Sequence, residues 1–163
     1  MSQLDWMKLH FPVFFLAILI LLASCETAPN GVEQARAAMA ARIATEPAGD
    51  YFIGRRYFKS GFYFWGFVRR PRQSWSDAKL VVLNENQQLA PDREQLGFGA
   101  DNGFEYKLRG YFSGDQVYEL VSNQFLPEFV LQGYELISTN PAPILPSQIH
   151  GQQVGTGEIE RPE

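Results

Sequence analysis

Cysteine and histidine are nearly missing from this sequence: of 163 residues, one is cysteine and two are histidine. A single cysteine excludes an internal disulfide framework and any cysteine-clustered metal site. His10 and His150 stand near opposite ends, so no Ser-His-Asp or Cys-His arrangement can be assembled in the region between them. Net positive charge is lacking too. Fourteen Lys and Arg against 18 Asp and Glu leave −4, which argues against a globally cationic nucleic-acid binder. The glycine-rich stretch Gly97–Gly103 has no lysine and no following helix, so it is a loop and not a phosphate cradle. Asp92, Asp101 and Asn102 are oxygen donors without EF-hand spacing or a closing Glu. No metal and no cofactor is implied, and the composition points away from an enzyme.

What is present is a chain 45% hydrophobic and 14% aromatic, enough for one packed domain with short extensions. From Phe11 to Leu22 every residue is apolar. As a helix this run rises about 18 Å, short of the ~30 Å hydrocarbon core, which suits the apolar region of an export signal. Lys8 is the only fixed positive charge before it, beside Asp5. Directly after it stands Leu22-Ala23-Ser24-Cys25, containing the only cysteine.

These four residues resemble the lipobox of bacterial lipoproteins. The resemblance covers about the first 25 residues, and no family is recognised for the globular part. It implies a diacylglyceryl thioether on Cys25, recognition of Leu22, Ala23 and Ser24 by a dedicated signal peptidase, and cleavage between Ser24 and Cys25. The amino group so freed is then acylated in turn, with a fatty acid such as palmitate. Two or three acyl chains give stable anchoring, at ~0.8 kcal/mol per buried CH₂. The residue after Cys25 is Glu26, not the Asp that marks inner-membrane retention in enterobacteria. That favours the periplasmic face of an outer membrane if the host has one, and otherwise the outer face of the plasma membrane. An uncleaved anchor is the plainer alternative.

The chain therefore divides into a signal peptide (1–24), a lipidated tether (25–49), a β domain (50–140) and a flexible tail (141–163). Within the tether, Val32–Ile43 is rich in strong helix formers and carries one weak apolar stripe; Pro47 and Gly49 end it. This is a spacer helix, or a docking helix for a partner. In the β domain, aromatic and β-branched runs predict strands over Gly61–Arg70, Lys79–Asn84, Phe104–Ser113, Gln116–Leu120 and Phe129–Ser138. Ser113-Gly114-Asp115 reads as a tight hairpin. In the third strand Tyr106, Leu108, Gly110 and Phe112 face one side, and Glu105, Lys107, Arg109 and Tyr111 the other. Gly66, Gly110 and Gly133 point to bulges or strong coiling. The expected fold is all-β: a small barrel, OB-like by preference, with a sandwich or another barrel as the alternative. The tail holds Pro141, Pro143, Pro146 and Pro162 and little apolar content after Ile149.

Charge is segregated along the domain. Tyr51–Arg72 carries six bases (Arg55, Arg56, Lys59, Arg69, Arg70, Arg72) and no acid, interleaved with aromatics that include Trp65; Asp77–Glu135 carries ten acids and four bases. In the plainer reading the aromatics fill the core, while the arginines pair with acids on neighbouring strands or coat the surface. In the functional reading Arg55, Arg56, Arg69, Arg70 and Arg72, with Trp65 and Trp75, form a face for an acidic glycan or an anionic lipid surface. Trp75 either plugs the barrel end or offers a binding platform. The ten acids are expected as solvated surface charge. The expected function is that of an envelope lipoprotein working as a protein-interaction or scaffold module. Its partners are the membrane, through the anchor, and an envelope protein or glycan, not nucleic acid. The alternative is an envelope-glycan or anionic-lipid binding module, and last comes a carboxylate-dependent hydrolase.

Overall fold

Alanine-rich sequence from Gly31 to Ala44 forms helix α1, with Glu33 in its first turn and Arg42 in its last, each on the side the helix dipole favours. The computed structural model describes residues 31–56, 65–95, 97–120, 122–145 and 161–162, and of Trp65 the backbone alone. Leu22, Ala23, Ser24, Cys25, Lys59 and His150 lie outside the described residues, as does the start of the strand expected from Gly61. Gly31–Gln34 belong to a separate N-terminal unit, and the main unit begins at Ala35.

Five strands follow: β1 (Phe52–Arg56), β2 (Trp65–Arg69), β3 (Lys79–Asn84), β4 (Glu105–Glu119) and β5 (Gln124–Ser138). They close into a barrel in the order β1-β2-β3-β5-β4. Four of the pairings are antiparallel; β3 with β5, through Val82↔Glu128 to Asn84↔Val130, is parallel. A 3₁₀ turn (Trp75–Asp77) leads into β3, and a short helix α2 (Pro91–Glu94) lies between β3 and β4. Proline at its first position presets α2.

The described residues hold five strands, the number expected, but their identities shift. Phe52–Arg56 is a strand that was not expected. Ser113-Gly114-Asp115 is not a hairpin: β4 runs through it, with a register shift between Phe112↔Phe129 and Gln116↔Pro127. Gly114, at φ 93°, absorbs the bulge. The chain reverses instead after Glu119, where Asn123 takes φ 54°. Gly110 is also required: a Cβ there would collide with the Val130 carbonyl and the Phe129 ring.

Two apolar clusters hold the domain. The first fills the barrel with Phe52, Val68, Val81, Leu83, Ala90, Tyr106, Leu108, Phe129 and Leu131. The rings of Phe52, Phe112 and Phe129 meet edge to face, with centroids 4.9 to 5.7 Å apart. The expected alternation in β4 places Tyr106, Leu108 and Phe112 with this cluster. The second cluster lies outside the barrel wall: Ile53 and Phe67 point away from the interior and pack with Ile43, Trp75, Ile144 and Leu145. Ile144 and Leu145 thus belong to the packed domain, although the sequence placed them in a flexible tail. Ile43 likewise ties the end of α1 to the barrel.

Candidate functional site

Strand alternation sets the geometry of the arginines. In β1, Ile53 and Arg55 face outward, while Phe52, Gly54 and Arg56 face the interior side. In β2, Phe67 and Arg69 face outward. Outward here means under the second cluster, so Arg55 and Arg69 are buried, at 2% and 1% exposure.

Each buried arginine is matched. Arg55 donates from Nε (2.8 Å) and Nη2 (2.6 Å) to Oε2 of Glu105 on the adjacent strand β4, and from Nη1 to the Ala142 carbonyl (2.5 Å). Arg42 of α1 reaches the same Glu105 oxygen at 3.3 Å. Arg69 grips Glu46 with Nη2 on Oε1 (2.5 Å) and Nη1 on Oε2 (2.8 Å). Trp75 lies against both guanidinium groups, their Cζ atoms 4.7 Å (Arg55) and 4.5 Å (Arg69) from its ring. It is wholly buried, and its indole N–H has no hydrogen-bond acceptor among the described residues. Burial pushes the Glu46 carboxyl upward, but the Arg69 hydrogen bonds, the Arg72 backbone N–H and the charges of Arg69 and Arg42 outweigh it and hold the group below its ordinary range.

At the barrel base Arg56 forks onto both oxygens of Asp92 in α2. The Gly99 N–H adds a third hydrogen bond to Asp92, at 3.0 Å. Asp101 is buried beside this pair, and neither carboxylate oxygen completes a hydrogen bond of ordinary geometry among the described residues. Burial pushes its carboxyl above the usual value; Asp92 adds to the rise and Arg56 opposes it. Burial also raises the Tyr106 hydroxyl, with Asp101 adding to the effect, and it raises Tyr134 to about 12, with the Glu94 hydrogen bond adding. Burial and the nearby Arg56 bring the Arg93 guanidinium down to about 10. The void bounded by Arg56, Asp101, Tyr106 and Leu131 is about 20 Å³, room for one water molecule.

The structure therefore does not gather the sequence-selected residues onto one exposed face. Arg55, Arg56, Arg69 and Trp75 are internal. Arg70 and Arg72 are exposed: Arg70 stacks over Phe52 at 3.8 Å and meets the fully solvated Asp50, while Arg72 donates its N–H and Nε to Glu46. Nor are all the acids solvated, since Asp92, Asp101 and Glu105 are buried. Sequence reasoning missed Glu46, Glu105 and Asp92 as partners. The one signal for them was the charge segregation itself, because a basic segment without acids must find its counter-charges far along the chain.

Two surface features stand out among the described residues. Gln116–Glu119 and Gln124–Pro127 pair with each other and, among the described residues, with no third strand, so the β4–β5 hairpin extends as an arm. It exposes Tyr118, Leu120 and Phe125, with the Tyr118 and Phe125 rings 5.3 Å apart. The second feature is a groove of about 360 Å³ between α1, the loop before Trp75 and the chain at Pro143. No helix among the described residues is long and apolar enough to cross a membrane, and among them no three His, Cys, Asp or Glu side chains converge as a metal site would require. Comparison with known proteins finds no match: no family model fits the chain, and no curated protein and no solved structure is significantly similar to it.

Proposed function

We propose that this chain is a bacterial envelope lipoprotein anchored through Cys25, whose OB-type barrel serves as a protein-interaction or scaffold module. The Leu22-Ala23-Ser24-Cys25 sequence supports the anchor. The strand order, the parallel β3–β5 pairing and a helix between β3 and β4 at the barrel base support the OB-type assignment. The observation that carries the interaction role is the β4–β5 arm. Three large apolar side chains stand in solvent on this ribbon, whose Leu126 is buried, and Leu120 at its tip is 77% exposed. The buried arginines, by contrast, are spent on Glu105, Asp92 and Glu46 and on holding α1 and α2.

The test is recovery of the tagged, lipidated protein from gently solubilised envelopes, with proteins, glycans and lipids read by mass spectrometry. A stoichiometric protein partner that is lost from a Tyr118→Ser/Leu120→Ser variant supports the reading. Unchanged detergent partition of Cys25→Ser overturns the anchor. The second reading, an anionic-lipid module, is favoured by the groove beside α1.

A further inference from the structure

The groove beside α1 is apolar at its floor and cationic at its rim. Met39, Ala40, Ile43, Ala44, Trp75 and Pro143 line it, with Arg36 and Arg72 in its walls. Among the described residues, no acidic side chain lines it. Its volume of about 360 Å³ falls in the range of small-ligand sites, ~300–1,000 Å³. Trp75, wholly buried, closes the groove beneath. The matching occupant is amphiphilic: an acyl chain over the apolar floor and an anionic, acceptor-rich head between the arginines.

Position selects the source. Five residues lie between Cys25 and Gly31, the start of α1, and a fully extended chain covers no more than ~3.6 Å per residue step. With Cys25 acylated, α1 begins within about 20 Å of the membrane that holds the anchor.

We propose that this groove takes one anionic phospholipid from the anchoring membrane, its acyl chain against Met39, Ile43 and Trp75 and its phosphate between Arg36 and Arg72. The inference rests on the lipid-anchored reading above. The lipid would act as a second point of attachment, orienting the barrel on the bilayer.

The test uses the mature, lipidated chain with Trp65→Phe, which leaves Trp75 as its one tryptophan. It is reconstituted into vesicles of phosphatidylcholine with a minority of brominated phosphatidylglycerol, or of brominated phosphatidylcholine alone. Trp75 emission is expected to be quenched by the brominated anionic lipid and much less by the zwitterionic one. Ala40→Phe, on the exposed side of α1, fills the groove and is expected to abolish the difference. Arg72→Gln is expected to weaken the apparent affinity about fivefold, one surface base being worth ~1 kcal/mol. Unchanged thermal melting shows that both variants are folded. Absence of quenching by either lipid, or equal quenching by both, overturns the proposal. Failure of the protein to stay with the vesicles at all overturns the anchor instead, so the two failures are distinguishable.

Discussion

Arg69 and Glu46 meet through two hydrogen bonds, 2.5 and 2.8 Å, and so clamp the residue two past the end of α1 to the outer face of the barrel. The arginine is fully buried and the glutamate nearly so. Removing one partner leaves the other charge desolvated. Glu46→Gln is expected to cost about 3 kcal/mol in urea unfolding at neutral pH. The Glu46 carboxyl is held below its ordinary value, so the stability it contributes is present above the usual carboxylate range and is lost as pH falls through its folded value. The variant should accordingly lose less stability than wild type on acidification.

Asp101 works in the opposite direction. Its carboxyl is raised, chiefly by burial, so the folded state binds a proton more readily than the unfolded chain. That contribution is complete below the ordinary carboxylate value and is lost as pH rises through the folded one. Asp101→Asn removes the loss. Its melting temperature should exceed that of wild type at neutral pH, and the difference should shrink in acid.

Trp75 is the keystone of the outer cluster, in contact with Arg55, Arg69 and the end of α1. Trp75→Ala should cost about 3–5 kcal/mol. Hydrogen exchange should show α1 losing protection before the β3–β5 ladder does.

Gly110→Ala sets a Cβ against the Val130 carbonyl and the Phe129 ring at the centre of the long hairpin. Chemical denaturation should show a loss of roughly 2–4 kcal/mol. Gly114→Ala, which meets nothing and carries only its φ of 93°, should cost less, about 1–2 kcal/mol.

The strands with regular patterns were legible. β3 runs from Lys79 to Asn84 as expected, and the inward set of β4 follows from strict alternation. β1 was not legible: Phe-Ile-Gly-Arg-Arg holds two buried arginines and a glycine, which reads as surface until Glu105 and Asp92 are known to face it. Ser113-Gly114-Asp115 has turn composition, but turn and bulge ask the same freedom of Gly114, and only the pairing partner tells them apart. The paired acids lay beyond sequence reasoning because their partners are far along the chain: 23 residues for Glu46 and Arg69, 36 for Arg56 and Asp92, 50 for Arg55 and Glu105. Ile144 and Leu145 sit in proline-rich sequence that looks unstructured, and they are ordered by the cluster around Trp75.

On the function proposed above, the apolar arm engages another protein of the envelope. A photoreactive amino acid placed at Leu120, the most exposed large apolar position described, tests it in intact cells. A discrete, light-dependent adduct of fixed mass is expected, absent when the probe is placed at exposed Arg109 on the barrel wall. Monomer alone at Leu120, under conditions in which the protein is anchored and folded, would contradict it.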